Sequence, residues 1–224
     1  ESAEKTIITY DDHANINKMG TFRTYTVKVE GNDITFKDLT IENNAAPLGQ
    51  AVALHTEGDR LMFINCRFLG NQDTIYTGSE GARLLFTNCY IEGTTDFIFG
   101  PSTALFEYCE LHSKRDSYIT AASTPQNIEF GYVFKNCKLT AAPGVKKVYL
   151  GRPWRPYAQA VFIRCELGKH ILPEGWHNWG KKEAEKTVFY AEYDSRGEGA
   201  NPKARAAFSR QLKNLKGYEM ETVL

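Results

Sequence analysis

The sequence predicts an all-β solenoid, and three observations support this fold class. A Phe-x-x-Cys segment recurs along the chain, each time followed two positions later by an apolar residue. The recurrence interval, 20 to 28 residues, fits one coil of short strands. The segments are rich in Phe, Ile, Val, Tyr and Thr and alternate with period two, which favours strands over helical repeats of similar length. The repeated phenylalanines are Phe63, Phe86, Phe106, Phe134 and Phe162, and Phe36 begins a related segment with Leu39 in place of the cysteine.

The five cysteines occupy one equivalent position in five repeats. Equivalent positions of successive coils lie about 4.8 Å apart, so the thiols are expected to stack as a ladder of small buried side chains. An odd number of cysteines leaves at least one without a disulfide partner. A bridge between Cys66 and Cys89 is the one pairing that stays open as an alternative.

The turns between coils carry the insertions that vary the repeat length. Residues 44–49 and 141–144 are two such loops, and loops of this kind usually line a groove along a solenoid. From about Lys181 the pattern changes, and residues 181–224 are expected to cap the open end. This tail is predicted to contain a strand over Thr187–Tyr190 and a short helix near Ser209–Leu215. A single domain over residues 1–224 is expected.

Composition argues against several classes of protein. The 27 basic and 27 acidic residues balance, which gives no strong electrostatic basis for binding nucleic acid or an anionic membrane. No apolar run is long enough to span a bilayer. No zinc-ligand spacing occurs, so no metal is expected. The opening residues are not a secretory signal and lead directly into a predicted strand at Thr6–Thr9, which suggests a trimmed chain.

Two aspartates occupy the same position in neighbouring repeats. Asp73 follows Phe63 by ten residues, and Asp96 follows Phe86 by ten. Coils in register would place the two carboxyl groups on adjacent rungs, on the order of 5 Å apart. Two carboxylates so close resist ionising together, so a neutral acid beside a carboxylate is expected. The alternative is a pair of solvated turn aspartates with no role in catalysis.

Four further side chains could complete a site around these aspartates. Arg152 could hold one carboxylate ionised. Trp154, between two Arg-Pro pairs, suits stacking on a sugar, although a core tryptophan that closes the coil is the alternative. The amides of Gln50 and Gln72 could stabilise an oxyanion. Counting does not secure the alignment of Gln50 with the aspartates, because the phenylalanine register implies a four-residue insertion. No G-x-S-x-G segment is present, which argues against a serine esterase.

Four short motifs, in order, resemble those of the pectin methylesterase family. They are Gln50–Leu54 (QAVAL), Gly70–Thr74 (GxQDT), Asp96–Gly100 (DFIFG) and Leu150–Trp154 (LGRPW). Residues 118–121, 175–176 and 190–193 are also similar to family segments, so the resemblance covers nearly the whole chain. It implies a right-handed parallel β-helix. The family's early G-x-Y-x-E segment has no counterpart, as expected for a chain that begins one coil late.

The resemblance also implies a role for each catalytic candidate. Asp96 would attack the C6 ester carbonyl as the nucleophile. Asp73 would protonate the departing methoxide and then activate the hydrolytic water. Gln50 and Gln72 would stabilise the tetrahedral oxyanion, and Arg152 would orient Asp96.

The substrate that the resemblance implies is methylesterified homogalacturonan. Trp154 would contact a galacturonate ring, and Phe22 and Phe97 would be further substrate contacts. No cofactor or metal would be needed. The protein would be a secreted monomer that binds neither nucleic acid nor membrane.

Two rival functions remain open on the sequence. A lyase on the same fold would need a cluster of carboxylates for Ca²⁺, and a glycosidase would need carboxylates that flank the glycosidic bond. Only one clear carboxylate pair is visible, accompanied by two glutamines, which favours an esterase. The other rival is a non-catalytic solenoid that binds polysaccharide and needs neither aspartate.

Overall fold

The computed structural model describes residues 2–224, which form a parallel β-helix with short turns. The strands are β1 (Ile7–Tyr10), β2 (Val27–Val29), β3 (Thr35–Lys37), β4 (Thr40–Asn43), β5 (Leu54–Thr56), β6 (Leu61–Ile64), β7 (Arg67–Leu69), β8 (Ile75–Thr77), β9 (Arg83–Thr87), β10 (Tyr90–Gly93), β11 (Ile98–Gly100), β12 (Thr103–Glu107), β13 (Glu110–Ser113), β14 (Tyr118–Ala122), β15 (Tyr132–Lys135), β16 (Lys138–Ala141), β17 (Tyr149–Gly151), β18 (Gln159–Ile163), β19 (Glu166–Leu167), β20 (Phe189–Tyr193) and β21 (Arg210–Gln211). Three 3₁₀ helices, Ile16–Lys18, Thr21–Arg23 and Lys182–Lys186, and one α-helix, α1 (Met220–Val223), complete the described elements.

The strands form three parallel sheets that run along the solenoid. The first sheet has the order β1-β4-β7-β10-β13-β16-β19, the second β17-β14-β11-β8-β5-β2, and the third β21-β20-β18-β15-β12-β9-β6-β3. Each sheet takes every third strand through most of the chain, so one coil contributes one strand to each sheet. The predicted fold class is confirmed.

The repeated phenylalanines set the register of the third sheet. They pair in sequence order from Phe36 to Phe162, each with its counterpart on the next coil. The successive ring centroids lie 5.3, 4.7, 4.6, 4.6 and 4.4 Å apart, and the planes are within 14° of parallel. Burying one ring per coil at the same position keeps the coils in register while the loops absorb the change in repeat length.

The cysteine ladder is also present. All five cysteines are free and buried, and no disulfide joins Cys66 to Cys89. The last four thiols each lie near the carbonyl oxygen of the repeated phenylalanine one coil earlier, from 3.3 Å for Cys89 to 3.5 Å for Cys165. The cysteines therefore act as packing residues, as the repeat predicts.

One turn of each coil uses a residue with positive φ, directly before the cysteine position. The residues are Asp38, Asn65, Asn88, Tyr108, Asn136, Arg164 and Asp194, with φ between 49° and 56°. Asn and Asp tolerate this left-handed conformation better than other side chains with a Cβ. The need for a left-handed residue at this turn explains why Asn recurs at the third position of Phe-x-x-Cys. Tyr108 and Arg164 are the exceptions, and their backbone conformation is strained.

We expect Tyr108→Asn to stabilise the protein by about 0.5–1 kcal/mol, because it relieves a left-handed tyrosine whose side chain is largely exposed. Urea denaturation would measure the change. The reciprocal variant Asn88→Tyr, at the equivalent turn of the neighbouring coil, should destabilise by a similar amount. Equal stabilities for wild type and Tyr108→Asn would contradict this account of the corner.

The C-terminal tail differs from its prediction. The helix near Ser209–Leu215 is wrong: Arg210–Gln211 form β21 beside β20, and α1 lies farther on at Met220–Val223. A seven-residue helix is marginal alone, and Leu212 and Leu215 instead pack on the outer face of the third sheet. The predicted strand at Thr187–Tyr190 is displaced, since β20 spans Phe189–Tyr193.

Only part of this tail closes the end of the solenoid. Ala184, Val188, Ala206 and Phe208 pack against the main core beside Tyr190 of β20. The chain from Leu212 onward lies along the side of the third sheet, against a separate cluster of outward-facing apolar residues. The carbonyl of Leu224 accepts a hydrogen bond from Arg83, many coils back from the capped end.

A buried ion pair joins β20 to the segment just before Ala206 and Phe208, which pack on the end of the core. Arg205 donates from Nε and Nη2 to the two carboxylate oxygens of Glu192 at 2.6 and 3.1 Å, and both side chains are under 5% exposed. The same guanidinium also donates to the carbonyls of Leu172, Pro173 and Gly199. The arginine therefore ties three loop carbonyls to the last full strand.

We expect Arg205→Met to destabilise the protein by about 3–5 kcal/mol, because it leaves the buried carboxylate of Glu192 without its partner. Chemical denaturation would measure the loss. Lys186→Met is the matched control, since its ion pair with Glu183 is highly exposed and should contribute less than about 1 kcal/mol. Similar losses for the two variants would contradict the argument from burial.

Candidate active site

The two candidate aspartates lie on adjacent coils of the second sheet. Ile75 pairs with Ile98, which puts Asp73 and Asp96, two residues earlier on each coil, side by side. The Asp73 N–H donates to the Thr95 carbonyl at 3.0 Å. Both aspartates have positive φ, 68° and 49°, a conformation that Asp tolerates and that concentrates at functional sites. The spacing from the phenylalanines therefore predicts their adjacency correctly.

Arg152 holds Asp96 through two hydrogen bonds. Its Nε donates to Oδ1 at 2.9 Å and its Nη2 to Oδ2 at 2.6 Å, a bidentate arrangement. Asp96 is 5% exposed, and the Arg152 side chain is 15% exposed. A charge-assisted pair screened this weakly by solvent fixes both the charge and the orientation of the carboxylate.

The electrostatic environments of the two aspartates differ. Burial raises the pKa of Asp73 well above its ordinary value, the charge of Asp96 raises it further, and Arg152 opposes both. Burial also raises the pKa of Asp96 above its ordinary value, but the hydrogen bonds and charge of Arg152, and the charge of Lys181, oppose that rise. The structure contains no hydrogen bond to the Asp73 carboxyl among residues 2–224. The balance of these effects favours the proton on Asp73 and the negative charge on Asp96.

The two candidate amides belong to residues that lie beside each other on neighbouring coils. The N–H of Ala51 donates to the Gln72 carbonyl at 3.1 Å, so Gln50 lies next to Gln72 on the neighbouring coil rather than opposite Asp73. This resolves the alignment that counting left open. Neither side-chain amide has a hydrogen-bond partner in the described part of the chain, and both line the same cleft as the aspartates. Their N–H groups are free to donate to a ligand.

A single cleft of about 280 Å³ collects most of the predicted site. It is lined by all five predicted catalytic residues, by Phe22 and Trp154, and by Thr21, Phe99, Ala121 and Trp179. Trp154 is half-buried and borders the cleft, so it is not the core tryptophan of the alternative interpretation. That position is taken by Trp176, which stacks on Tyr190 with centroids 4.3 Å apart.

An aromatic wall forms one side of the cleft. The ring of Phe22 is 4.8 Å from Tyr76 and 6.3 Å from Trp154, measured between centroids. Phe99 joins them, 4.8 Å from Tyr76 and 5.7 Å from Trp154. Phe22 is 46% exposed, on the 3₁₀ helix Thr21–Arg23, and is accessible to a ligand. Flat apolar faces beside buried carboxylates suit a carbohydrate ring.

Phe97 is not part of this wall, so its prediction as a substrate contact is wrong. It is fully buried in the main core. The left-handed backbone at Asp96 redirects the chain, so Phe97 points inward and Phe99 points outward. Tyr76 and Phe99 each follow an aspartate by three residues and pair with each other across β8 and β11. This shared spacing from the aspartates is the sequence signal that could have predicted Tyr76 and Phe99 as residues of the aromatic wall.

Trp179 and Lys181 were missed by the sequence interpretation. The ring of Trp179 covers the guanidinium of Arg152, with Arg152 Cζ 3.6 Å from its centroid. Lys181 donates from Nζ to the carbonyls of Pro153 and Trp154 at 2.8 and 2.9 Å. Both residues come from a loop beyond the motif that contains Arg152, and no repeat or motif marks them.

Among residues 2–224, no group of three or more His, Cys, Asp or Glu side chains is arranged to hold a metal ion. No helix in the described part is long and apolar enough to cross a membrane.

A carboxylate ion-paired with an arginine, beside a second buried carboxyl whose pKa is raised and with free amide donors in the same cleft, is an arrangement suited to attack on an ester. Together with the aromatic cleft, this arrangement fits a carboxylic ester hydrolase built on a parallel β-helix. The family model for pectinesterases matches residues 1–221. The chain belongs to the pectinesterase family of carboxylic ester hydrolases.

Two curated relatives illustrate the match. Pectinesterase 31 of Arabidopsis thaliana is 41% identical over 222 residues, which cover 94% of this chain and 69% of that protein. Probable pectinesterase/pectinesterase inhibitor 64 of the same plant is 37% identical over 230 residues, covering 93% of this chain but 38% of that protein. The chain therefore spans well under two thirds of the longer relative.

Two solved structures share the fold. A pectin methylesterase from carrot superposes with a TM-score of 0.91 at 30% identity, covering 98% of this chain and 72% of that one. A pectin methylesterase in complex with a hexasaccharide superposes with a TM-score of 0.84 at 28% identity, covering all of this chain and 80% of that one.

Proposed function

We propose that this chain hydrolyses the C6 methyl esters of homogalacturonan, producing pectate and methanol, with Asp96 as the nucleophile. The observation that carries the proposal is the bidentate Arg152–Asp96 pair beside Asp73, whose pKa is raised by burial and by its neighbour. This pairing supplies a carboxylate that can attack and an acid that can protonate a leaving group. Membership of the pectinesterase family supports the substrate.

The proposed reaction has two halves. In the first, a carboxylate oxygen of Asp96 bonds to the ester carbonyl carbon, and the amides of Gln50 and Gln72 donate to the resulting oxyanion. The intermediate collapses as the bond to methoxide breaks, and Asp73 gives its proton to the methoxide, which leaves as methanol. The product is a mixed anhydride between Asp96 and the galacturonate.

In the second half, water completes the hydrolysis. Asp73, now a carboxylate, takes a proton from a water molecule while the water oxygen attacks the anhydride carbonyl. The bond to Asp96 breaks, which frees the Asp96 carboxylate and leaves a carboxylic acid on the sugar, and this acid releases its proton to solvent. Arg152 keeps the Asp96 side chain aligned through both halves and compensates its charge whenever the carboxylate is free, and Asp73 ends protonated, ready for another turnover.

The cleft would hold the polymer against its aromatic wall. Trp154 and Phe22 are the proposed sugar contacts, with Phe99 and Tyr76 behind them. The solved relative that carries a hexasaccharide supports an extended oligosaccharide as the ligand. We propose in addition that the protein acts as a monomer, without cofactor or metal, and that it is secreted, because its substrate lies in the cell wall.

We expect Trp154→Ala to raise KM for methylated pectin about tenfold, because it removes a stacking surface that contacts the bound sugar before and during the reaction. Such uniform binding changes KM while kcat stays near its wild-type value. Trp154→Phe should recover most of the loss. A large fall in kcat with unchanged KM would contradict a binding role for this ring.

The experiment that tests the function is incubation with highly methylated pectin. Methanol, unsaturated chain ends and reducing ends would be followed in parallel. Methanol alone supports the esterase. Unsaturated ends would move the assignment to a lyase, and reducing ends to a glycosidase. Binding of pectin without any of these products would favour a non-catalytic solenoid.

A further inference from the structure

The guanidinium of Arg152 is enclosed by two aromatic rings. Its Cζ lies 4.0 Å from the centroid of Tyr118 and 3.6 Å from that of Trp179. Its edge donates to the Asp96 carboxylate. Tyr118 begins β14, and Trp179 comes from the loop before the 3₁₀ helix Lys182–Lys186, so elements distant in sequence meet at this one side chain.

The loop that contains Trp179 is held in place by hydrogen bonds. The Trp179 N–H donates to His177 Nδ1 at 3.1 Å, and the Asn178 amide donates to Glu185 at 2.6 Å. Lys181 donates to two carbonyls beside Arg152, and its Nζ lies 4.3 Å from the Trp179 centroid. The indole thus lies in contact with two cations, and it has a left-handed backbone (φ 56°) that costs a tryptophan energy. A strained conformation persists where the surroundings over-determine it.

Tyr118 occupies the position equivalent to Asp73 and Asp96 on the following coil. The Asp96 N–H donates to the Tyr118 carbonyl at 2.8 Å, and Tyr118 pairs with Tyr149 on the following coil. The rings of Tyr118 and Tyr149 stack 5.3 Å apart. The support for Arg152 is therefore built into the same coil register that positions the nucleophile.

We propose that Tyr118 and Trp179 are positioning residues for the esterase reaction, which hold Arg152 in the orientation that keeps Asp96 charged and aligned. This inference rests on the proposed function. A free arginine side chain has about 2 kcal/mol of rotamer entropy, and stacking on both faces removes that freedom before substrate binds. Cation–π contacts of this kind contribute about 0.5–2 kcal/mol each.

The charged and titratable groups around Asp96 define the expected effect. They are Asp73 on the neighbouring coil, Arg152, Lys181 and the buried Tyr190. Arg152 is the group hydrogen-bonded to Asp96 and opposes the effect of burial on its pKa. When Arg152 loses its aromatic support, its hold on Asp96 weakens, and the pKa of Asp96 rises.

The test compares Tyr118→Leu and Tyr118→Phe with Tyr149→Leu as the matched control. We expect Tyr118→Leu to lower kcat about tenfold with little change in KM, and to move the acidic limb of the kcat/KM profile to higher pH. Tyr118→Phe retains an aromatic face and should stay near wild type. Tyr149→Leu removes an equivalent ring one coil on; within the described chain, that ring makes no cation–π contact with Arg152, so the acidic limb should not move.

Trp179 provides a second arm if Tyr118→Leu fails to fold. Trp179→Leu should shift the acidic limb in the same direction and also raise KM, because this ring lines the cleft, and Trp179→Phe should restore the limb. An unmoved acidic limb in both leucine variants, or an equal shift in Tyr149→Leu, would overturn the proposal.

A measurement without turnover separates this inference from the proposed function. Carbon-13 NMR of aspartate-labelled protein, with the Asp96 signal assigned by its absence in Asp96→Asn, reports the pKa of Asp96 directly. An upward shift in Tyr118→Leu but not in Tyr149→Leu supports the positioning role even if no methanol is released from pectin. Equal pKa values for Asp96 in wild type, Tyr118→Leu and Tyr149→Leu would contradict the positioning role, whatever the activity.

Discussion

Asp96→Asn is expected to reduce methanol release by a factor of about 10⁴ or more, the size of loss seen when a member of a covalent catalytic set is removed. An amide oxygen is a poor nucleophile, and an amide cannot form the bidentate ionic pair with Arg152. The backbone should tolerate the change, because Asn accepts the left-handed φ of 49° at this position. The assay is methanol release from methylated pectin at saturating substrate, with thermal denaturation to confirm folding.

Asp194→Asn is the matched control for this variant. Asp194 has the same φ of 49°, lies in an exposed turn, and does not line the cleft. Its activity and stability should stay near wild type. Retention of a tenth or more of the wild-type rate by Asp96→Asn would mean that another group forms the covalent bond.

Asp73→Asn is expected to have the second-largest effect, a loss of about 10²–10⁴ in kcat, because general acid–base catalysis contributes that much. Burst kinetics would show whether release of methoxide or hydrolysis of the anhydride becomes limiting. An unchanged kcat would remove Asp73 from the proposed mechanism.

The same variant is expected to be more stable than wild type at neutral and alkaline pH. Burial and Asp96 raise the pKa of Asp73 in the folded state above the unfolded value of about 3.9. The folded state therefore binds this proton more tightly, and wild-type stability falls as pH rises from the unfolded pKa through the raised folded pKa. Asn has no proton to lose, so the stability gain of Asp73→Asn over wild type should be absent near pH 3 and should grow as the pH rises.

Denaturant titrations of wild type and Asp73→Asn at a series of pH values would measure this difference. A stability difference that stays constant across the series would show that the pKa of Asp73 is not raised by folding. A gain in stability together with a loss of activity would show that the site is held in an electrostatically unfavourable arrangement for the sake of the reaction.

The repeat made the coil register predictable from the sequence. One buried phenylalanine per coil leaves a single favourable alignment of neighbouring coils, since a one-residue slip would turn every buried side chain outward. The adjacency of Asp73 and Asp96 follows from that register alone. The free cysteines follow from it as well, because a stacked small side chain needs no disulfide to pack.

The register could not predict features that depend on local backbone direction. Phe97 follows Asp96 directly and shares its motif, yet the left-handed residue between turn and strand sends Phe97 into the core and turns Phe99 toward the cleft. Gln50 was ambiguous for a related reason: an insertion within a coil can lie on either side of a residue, and only backbone pairing shows which. The predicted helix at Ser209–Leu215 was lost to packing of its leucines on a sheet face that the sequence did not show to be free.

The sequence by itself thus determined the solenoid, its register, the aspartate pair and the identity of the arginine, because each depends on a repeat or a motif within one or two coils. Only the tertiary structure decided what surrounds that arginine. Trp179 and Lys181 carry no shared spacing with Arg152, and they lie beside it because a loop from the next coil folds back over the cleft. Tyr118 meets the same guanidinium from β14 of the preceding coil. Contacts between a coil and a non-repeating loop depend on the path of that loop in space, which the period of a repeat does not encode.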